Sequence, residues 1–580
     1  MKPIQRIVVN TLAILLLNMI TGTGLADNAQ EADLLPMIQR NCAPNGFEAS
    51  PELYLVYYPD VLTSTNPDTA FACSHGFPWP EDTHVPLILY GSGVRKGARS
   101  ANSPSLEDIS PTLAYALGQA PPRSVSGRVL REALLPHGPR SCGNAPRAAM
   151  VLVMDQCRAD YLTNPQIRPA LAFARSELMR HGASYANARL SYAGARTAVS
   201  HATIGTGAIP GIHGIINNNL RVGDAFPLAF NDEPRHSMNM FNLLVPTLAD
   251  VMDLALDNKP IIISMSAYGR AALGMAGHGA AFDARSDKDI VLKMSKDTGL
   301  PYTNGDYFHL PASLTYSSQN PIRIDQWLAA NYGIDIQTAQ WTESTVIVDK
   351  GPYAVRRDNV IRGPQGAFPD GTTFTFSHPI VTAGKTPPTS TKQLWDGSYP
   401  GNAYFDETLK TPFYTLWDTD MLLRAMESEG VGQDRIADLI YYNFKVLDTI
   451  GHAYGVNSPE LYAYLYTVDY CLKKIVQFLD RRIGSDKYLL VLTADHGAHN
   501  AYGDRILYAY DLFDAVEERF GENVILNDPN DGAPFDDMLY LDRQILGEHT
   551  LAEVADFIKS RFKEHVYQVY TKDEIFQSTP

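Results

Sequence analysis

The sequence has little positive charge and few cysteines. It holds 48 lysine and arginine residues against 64 aspartate and glutamate residues, which gives a formal net charge of −16. A chain this anionic repels polyanions, so we exclude a role as a nucleic-acid scaffold. Its five cysteines show no CxxC spacing, which argues against a thiolate zinc site. The 580 residues are 45% hydrophobic, so collagen-like, coiled-coil and disordered classes are excluded as well.

Long apolar runs are missing after the first 26 residues. No later stretch approaches the length of about 18 apolar residues that a membrane helix needs, so we expect no membrane span in the mature chain. Residues 1–26 have the pattern of a secretory signal peptide, in which Lys2 and Arg6 precede an apolar run; the alternative is an N-terminal membrane anchor. We therefore expect a secreted or periplasmic protein. An oxidising compartment permits disulfides, and Cys42 and Cys142 are a candidate pair because both lie in segments rich in Pro, Gly and Asn.

Short apolar runs alternate with helical patterns along the chain. The runs predict buried parallel strands at 53–58, 85–90, 148–154, 260–265 and 488–493. The clearest helix is 459–483, where Ser458 is a good N-cap and apolar residues recur every three or four positions. Strands that alternate with helices predict a layered α/β fold. Residues 300–410 are instead rich in Gly, Pro, Thr and Ser, and we interpret them as an insertion or cap.

Four places along the chain combine metal-ligand residue types with the start or end of a strand. The six residues are Asp155, Asp448, His452, Asp495, His496 and His75. Ligands collect at the carboxyl ends of strands in open α/β sheets, and Asp155 and Asp495 follow predicted strands. Each residue alone is more often a turn former or a helix cap, so the combination carries the prediction. Two ions with about three protein ligands each, plus an open position, would use all six.

Thr197 is a candidate nucleophile. The string RTAVSHATIGTG, residues 196–207, surrounds it with small and polar residues at a predicted helix start. Backbone N–H groups and the helix dipole stabilise an incoming anion at such a position. Threonine is a weak nucleophile at neutral pH, and a metal ion can activate it by stabilising the alkoxide. The alternative is that Thr197 is an ordinary helix-capping threonine.

Five strings together resemble the alkaline phosphatase superfamily: DQCRADYL, RTAVSHATIGTG, GIHGIINN, DTIGHAYGVNSPE and LTADHG. Within it, the similarity is greatest to the PafA-like alkaline phosphatases and the nucleotide pyrophosphatase/phosphodiesterases. The resemblance implies a three-layer α/β/α sandwich with a mostly parallel central sheet. It also implies two divalent metal ions, usually Zn²⁺, and a small-molecule phosphate ester as the substrate. It predicts no oligomeric state.

The same resemblance assigns roles to individual residues. Asp448, His452 and His75 would hold one ion, and Asp155, Asp495, His496 and the Thr197 oxygen would hold the other. Thr197 would attack phosphorus and form a phospho-threonine, which a water molecule then hydrolyses. Asn218 matches the family position that hydrogen-bonds a phosphoryl oxygen.

The remaining histidines are expected to have structural roles. His84 lies close to His75, but the family position favours His75 as the ligand. His201 follows Thr197 by one helical turn and is expected to orient that loop. His278 and His499 are expected at the surface or behind the ligands.

The order of the segments departs from the family. The string with the last metal histidine, SHGFPWPEDTHVPLILYG, follows ADHG in the family, whereas here it lies within residues 71–135, before Asp155. We therefore interpret the chain as a circular permutant. Its segments would be 27–140 from the family's C-terminal part, 141–299 and 411–580 as catalytic core, and 300–410 as a cap. The alternative is that 45–140 forms a separate small domain.

A second departure concerns the substrate. PafA-like phosphomonoesterases carry a Lys-x-Arg pair that contacts the phosphate, and here Tyr268 stands in the lysine place while Arg270 keeps the arginine. A monoester dianion gains more from two cations than a diester does, but Arg270 can still make a bidentate contact. We expect phosphomonoester hydrolysis. The alternatives are phosphodiester or nucleotide pyrophosphate cleavage and, from another class, a non-catalytic protein that binds phosphate or metal.

Overall fold

The computed structural model describes residues 27–42, 49–64, 71–136, 145–223, 225–232, 237–238, 240–279, 289–294, 298–303, 309–345, 364–381, 405–500, 505–527 and 537–577. The expected signal segment 1–26 and Cys142 lie outside these ranges, so export and the Cys42–Cys142 pairing stay predictions. Cys42, Cys73, Cys157 and Cys471 are buried, and no disulfide joins any of them to another described residue.

Strands and helices alternate through the described ranges. The strands are β1 (Leu53–Tyr57), β2 (Leu62–Ser64), β3 (Cys73–Ser74), β4 (Leu87–Gly91), β5 (Arg99–Ser100), β6 (Ala148–Val153), β7 (Ala183–Tyr185), β8 (Asn231–Asp232), β9 (Ser237–Met238), β10 (Ile262–Met265), β11 (Ile290–Met294), β12 (Pro301–Thr303), β13 (Gln340–Thr342), β14 (Ser377–Pro379), β15 (Asp438–Asn443), β16 (Tyr488–Thr493), β17 (His499–Asn500), β18 (Ile506–Tyr508), β19 (Met538–Leu539) and β20 (Val566–Thr571). The helices are α1 (Asp27–Asn41), α2 (Pro80–Thr83), α3 (Ile109–Leu117), α4 (Thr197–Thr206), α5 (Pro210–His213), α6 (Leu248–Leu256), α7 (Gly269–Ala276), α8 (Ile324–Tyr332), α9 (Pro412–Glu429), α10 (Val446–Tyr454), α11 (Pro459–Arg482), α12 (Ala509–Phe520), α13 (Arg543–Leu546), α14 (Leu551–Arg561) and α15 (Lys572–Phe576).

The central sheet has the strand order β12-β11-β10-β15-β6-β16-β4-β7-β5. Its middle strands β11, β10, β15, β6 and β16 run parallel to one another. Every residue of β6, β15 and β16 is buried, as expected for parallel strands covered on both faces. The prediction of an α/β fold with a mostly parallel central sheet is therefore confirmed.

Two strands of this sheet run against the others. β12 pairs antiparallel with β11, and β4 pairs antiparallel with β16. Leu87, the first residue of β4, lies opposite Thr493, the last residue of β16. Because of this direction, the segment that precedes β4 reaches the sheet edge where the parallel strands end.

A small antiparallel sheet joins the two ends of the described chain. β1 lies between β19 and β20, with Leu53 opposite both Leu539 and Thr571. Leu53 and Val569 belong to a second hydrophobic cluster, separate from the one around the central sheet. Helix α1 contacts helix α15 beside this sheet. The beginning and the end of the described chain are therefore spatial neighbours.

The directions predicted for two strands were wrong. The runs 53–58 and 85–90 were expected to be parallel strands, but β1 and β4 are both antiparallel to their neighbours. A continuous apolar run reports burial on both faces of a strand and carries no information on its direction. We also expected a β-like stretch from Leu439 to Leu447, but β15 ends at Asn443 and α10 begins at Val446.

The segment 300–410 contributes to the main core where it is described. β12 forms one edge of the central sheet, and Trp327 of α8 is buried in the same cluster as the sheet residues. Its boundaries as a cap stay a prediction. Within the described ranges, no helix has the length and apolar character that crossing a bilayer requires.

Candidate active site

The ends of three adjacent parallel strands define the level of the site. Asn443 of β15 pairs with Val153 of β6, and Val153 pairs with Thr493 of β16. The side chains two residues beyond these positions belong to Lys445, Asp155 and Asp495. Since the three strands end in register, these three residues lie side by side at one edge of the sheet.

One group of possible metal ligands contains three of the predicted residues. His75, Asp448 and His452 each offer an atom within 4.8 Å of the others. Asp448 Oδ1 lies 3.5 Å from His75 Nε2 and 3.3 Å from His452 Nε2. The structure thus brings the histidine from the front of the chain to the helix α10 that carries Asp448 and His452.

The second predicted ligand set is divided between two groups of possible ligands, and one of them combines Asp155 and His496 with Asp448. Asp495 Oδ2 lies 3.2 Å from His496 Nε2, which lies 3.9 Å from Asp155 Oδ1. The structure also groups His201 with Asp155 and Asp495, within 4.8 Å. His201, expected only to orient the Thr197 loop, does donate Nδ1–H to the Thr197 carbonyl at 2.7 Å. Its Nδ1 is also 3.6 Å from Asp495 Oδ2, so it borders the ligand set as well.

Thr197 is the first residue of α4, as predicted, and its side chain is nearly wholly buried. The Asn218 Oδ1 atom accepts a hydrogen bond from the N–H of Ala198 at 2.9 Å, which places Asn218 beside the predicted nucleophile. Arg196, which precedes Thr197, forms a bidentate ion pair with Asp537 at 2.8 and 3.2 Å. Both contacts hold the start of α4 in place.

Lys445 is a further site residue that the sequence motifs do not include. Its Nζ lies 2.7 Å from Asp448 Oδ2, 3.0 Å from Asp155 Oδ1 and 3.3 Å from Thr197 Oγ1. Burial lowers the pKa of this lysine, but the Asp155 and Asp448 carboxylates more than offset that effect and raise the pKa overall. Lys445 is therefore a charged ammonium between two predicted metal ligands and the predicted nucleophile. The position two residues past a buried strand was the available signal, because it matches that of Asp155 and Asp495.

Tyr268 and Arg270 follow β10, the strand next to β15; Tyr268 directly precedes helix α7 and Arg270 lies in its first turn. The guanidinium carbon of Arg270 lies 4.8 Å from the centre of the Tyr268 ring, and Lys445 Nζ lies 5.3 Å from the same centre. Arg270 Nε is buried and, among the described residues, has no hydrogen-bond partner. The aromatic ring is thus flanked by two cations at distances typical of cation–π contacts.

Burial and charge set the protonation of the ligands. Burial and the neighbouring His496 lower the pKa of His75 to about 3, so this imidazole is neutral at physiological pH. Burial also lowers the pKa of His496. Burial and the nearby Asp155 raise the pKa of Asp495 to about 8. Burial alone would raise the pKa of Asp448, but Lys445 and His452 hold it well below its usual range.

These residues fit divalent metal ions. His75, His452 and His496 each donate Nδ1–H to a backbone carbonyl, at 2.8, 3.0 and 2.9 Å, which leaves the Nε2 lone pair for a ligand. Asp495 Oδ2 and His496 Nε2 are buried and, in the described part of the chain, have no hydrogen-bond partner. Buried polar atoms without partners are rare unless they serve a bound group. The His452 side chain is 23% exposed, so the cluster is open to solvent on that side.

The other sequence-derived candidates lie behind or outside the cluster. His499 pairs with Asp82 at 2.8 Å and His278 pairs with Asp250 at 2.9 Å. Gln156 was also missed: its Nε2 donates to Asp448 Oδ1 at 3.2 Å. It has a positive φ of 61°, so the turn after β6 points this amide into the ligand cluster.

Comparison with known proteins identifies the family. The sequence model of the type I phosphodiesterase / nucleotide pyrophosphatase family matches residues 149–579. Alkaline phosphatase PafA of Elizabethkingia meningoseptica is 25% identical over 470 residues, which cover 75% of this chain and 77% of that protein. Alkaline phosphatase PhoV of Synechococcus elongatus is 26% identical over 385 residues, which cover 62% of this chain and 60% of that protein. A protein named calcium-transporting ATPase from Myroides odoratus is 25% identical over 404 residues, which cover 65% of this chain and 66% of that protein.

A solved structure supports the fold. The crystal structure of wild-type alkaline phosphatase PafA aligns with a TM-score of 0.50 and 21% identity over 75% of this chain and 80% of that one. The family match and the similarity to alkaline phosphatase PafA confirm the superfamily resemblance drawn from the sequence motifs. This chain belongs to the type I phosphodiesterase / nucleotide pyrophosphatase family and is a phosphoric ester hydrolase.

Proposed function

We propose that this enzyme hydrolyses phosphate esters, preferentially monoesters, through a phospho-threonine at Thr197. The supporting observation is a continuous set of contacts that ends at the Thr197 hydroxyl. His75 lies 3.5 Å from Asp448, Asp448 lies 2.7 Å from Lys445, and Lys445 lies 3.3 Å from Thr197 Oγ1. Segments far apart in the sequence therefore meet at one oxygen at the start of a helix, where an anion is stabilised.

The chemistry consists of two displacements at phosphorus. The Thr197 hydroxyl first gives its proton to solvent, and its oxygen then forms a bond to phosphorus as the bond from phosphorus to the ester oxygen breaks. The leaving alcohol departs with that electron pair and takes a proton from water. A water molecule then attacks phosphorus, the bond to Thr197 breaks, and phosphate is released while the threonine oxygen regains a proton. Asn218 and Arg270 are proposed to bind the phosphoryl oxygens.

Two divalent metal ions, proposed to be Zn²⁺, complete the site. One set is His75, Asp448 and His452, and the other is Asp155, Asp495 and His496 with the Thr197 oxygen. The Asp155 and Asp448 carboxylates pair with the Lys445 ammonium, so the cluster without metal has little positive charge left to attract a phosphate ester. When bound, the ions would supply positive charge and stabilise the attacking and leaving oxygens.

Monoester hydrolysis is proposed over diester hydrolysis because two similar proteins are named alkaline phosphatases and because two cations flank Tyr268. The family description favours the second candidate, phosphodiester or nucleotide pyrophosphate cleavage. The pattern of residues 1–26 supports export as the setting of either activity.

Replacing Thr197 tests the proposed nucleophile. Thr197→Ala should abolish turnover of p-nitrophenyl phosphate, while the metal content by mass spectrometry stays near that of the wild type. Ser110→Ala, a buried hydroxyl on α3, is the matched control and should retain activity. Undiminished turnover in Thr197→Ala would exclude Thr197 as the nucleophile.

Substrate preference is measured on two esters. Rates on p-nitrophenyl phosphate and bis(p-nitrophenyl) phosphate should favour the monoester in kcat/KM. A reversed ratio would support the phosphodiesterase alternative. Zinc binding without hydrolysis across a broad ester panel would support the non-catalytic alternative and overturn the proposed function.

A further inference from the structure

Lys445 and Tyr268 occupy equivalent positions after two adjacent strands. β10 and β15 are parallel neighbours, and Met265 pairs with Tyr442. Tyr268 follows Met265 by three residues and Lys445 follows Tyr442 by three residues. Asn443 Nδ2 donates a hydrogen bond to Ser266 Oγ at 3.2 Å, so the two segments remain in register beyond the paired residues. The two side chains therefore leave neighbouring strands at the same level and meet, with the lysine Nζ 5.3 Å from the tyrosine ring centre.

The contacts of Lys445 differ from those of an ordinary buried lysine. Lys474 is equally buried, but it pairs with a single carboxylate, Asp420, at 2.6 Å and with the Tyr332 hydroxyl at 2.8 Å. Lys445 instead contacts two carboxylates, Asp155 after β6 and Asp448 of helix α10, and the Thr197 hydroxyl at 3.3 Å. A purely structural ion pair needs one carboxylate and no contact with a nucleophile.

A phosphoryl group on Thr197 comes within reach of this ammonium. The phosphorus is one covalent bond from Thr197 Oγ1, and the oxygens on it extend one further bond. Because Lys445 Nζ is already 3.3 Å from Thr197 Oγ1, an ion pair with a phosphoryl oxygen needs little movement of the side chain. The buried setting makes such a charge contact stronger than it would be in water.

We propose that Lys445 is a catalytic residue that binds the transferred phosphoryl group and selects phosphomonoesters over diesters. This inference rests on the proposed function. The ammonium pairs with a charged phosphoryl oxygen as the bond from Thr197 to phosphorus forms and the bond to the leaving oxygen breaks, and it neither gains nor loses a proton. A monoester carries one more negative charge than a diester, so it gains more from this contact. The cation that Tyr268 cannot supply from β10 is thus supplied from β15.

The first test removes the charge. In Lys445→Met, kcat/KM for p-nitrophenyl phosphate should fall by about 100-fold or more, the scale of losing one charged transition-state contact. The loss on bis(p-nitrophenyl) phosphate should be at least about tenfold smaller, because that substrate lacks the second charge. The Kd for inorganic phosphate, measured by titration calorimetry on the metal-loaded protein, should rise in parallel with the monoester loss. Equal losses on both esters, with unchanged phosphate affinity, would show that Lys445 only supports the structure.

The second test moves the cation back to the neighbouring strand. Tyr268→Lys should raise monoester kcat/KM and phosphate affinity more in the Lys445→Met background than in the wild type, because only there is the cation missing. Lys445→Arg keeps the positive charge, so this variant should bind phosphate more tightly than Lys445→Met does. Comparing the two variants separates the effect of the charge from the effect of replacing the side chain. If Tyr268→Lys changed monoester kcat/KM and phosphate affinity equally in both backgrounds, the proposal would be overturned.

The control variant is Lys474→Met, which removes an equally buried lysine remote from Thr197. It should lower thermal stability and leave the monoester-to-diester ratio and the phosphate Kd unchanged. A change of that ratio in Lys474→Met would overturn the assignment to Lys445. Failure of the proposed function is seen separately, as absence of any hydrolysis by the wild type.

Discussion

At the scale of single residues, the site brings together charged side chains that no single stretch of the sequence contains. His75 Nδ1 donates to the carbonyl of Ala195 at 2.8 Å, and this bond aims Nε2 at Asp448. The residue types and their positions near strand ends were enough to select the six candidate ligands and Thr197. Lys445 and Gln156 were missed because lysine and glutamine match no ligand motif. Their importance depends on strand register, which only the folded chain defines.

His75 gives the first prediction. His75→Ala removes one of three atoms within 4.8 Å of one another, so the metal content should fall by about one ion per chain and kcat/KM by at least about 100-fold. Metal analysis and steady-state kinetics measure both. His84→Ala is the control, since His84 precedes β4 as His75 does but lies outside the described ligand groups. Full metal content in His75→Ala would contradict the assignment.

At the scale of secondary-structure elements, two helices position Thr197, the proposed nucleophile, relative to Arg270. Helix α4 begins with Thr197, helix α7 contains Arg270, and they cross at Gly205 and Gly274. A Cβ atom at Gly205 would overlap the Gly274 carbonyl oxygen, and one at Gly274 would lie 2.9 Å from the Ala202 backbone nitrogen. The close approach therefore requires glycine on both helices.

Gly205→Ala should push α4 and α7 apart. We expect it to destabilise the fold by about 1–3 kcal/mol, as overpacking does, and to lower kcat by separating Thr197 from Arg270. Urea unfolding and steady-state kinetics are the measurements. Gly430→Ala is the control: its φ of +79° makes the substitution destabilising, but its Cβ would make only an ordinary contact remote from the site. If Gly205→Ala loses stability and keeps kcat, the helix crossing does not set the catalytic geometry.

The junction of α6 and α7 predicts a pH dependence. His278 Nδ1 lies 2.9 Å from Asp250 Oδ2 and its Nε2 lies 3.0 Å from the Leu243 carbonyl. Burial lowers the pKa of His278, but the bonds to Asp250 and Leu243 raise it overall. A raised pKa in the folded state means that this stabilisation is complete below about pH 6.5, the unfolded value, and is lost as pH rises through the folded value.

Urea unfolding of wild type and His278→Gln across that range should therefore give converging free energies as pH rises. The difference should be about 1–2 kcal/mol below pH 6.5, the scale of a charged hydrogen bond. A difference that grows with pH would contradict the assignment. His549→Gln is the control, because His549 is more exposed and its contact to Glu553 is longer, at 3.7 Å.

At the scale of the whole molecule, the order of the segments along the sequence does not match the order of the strands in the central sheet. β4 and β5, from the front of the chain, lie in the same sheet as β16, and the family match begins only at residue 149. Both observations agree with circular permutation, which stays a prediction. Sequence patterns could predict the parallel core, the helix α11 and its Ser458 cap, since those follow from local periodicity. They could not predict strand direction, the small sheet or its pairing, because these depend on contacts between distant segments.

Restoring the family order tests the permutation. A chain running from residue 145 to 577, then through a short Gly/Ser linker to 27–136, should fold and retain kcat/KM within about tenfold, because α1 and α15 are already in contact. Circular dichroism and hydrolysis assays measure this. The chain 145–577 alone lacks β1, β4 and His75, and it should neither fold stably nor bind two metal ions. An active 145–577 fragment would contradict the permutation.

The small sheet also determines when, during synthesis of the chain, Thr197 can reach its final position. Lys572 contacts the Ser50 carbonyl although 522 residues separate them, and Asp537, directly before β19, holds Arg196 beside Thr197. β1 is thus translated long before β19 and β20 and stays without these neighbours until they have been synthesised. Thr197 can take the position described here only after that late pairing, so a growing chain is expected to remain inactive until then.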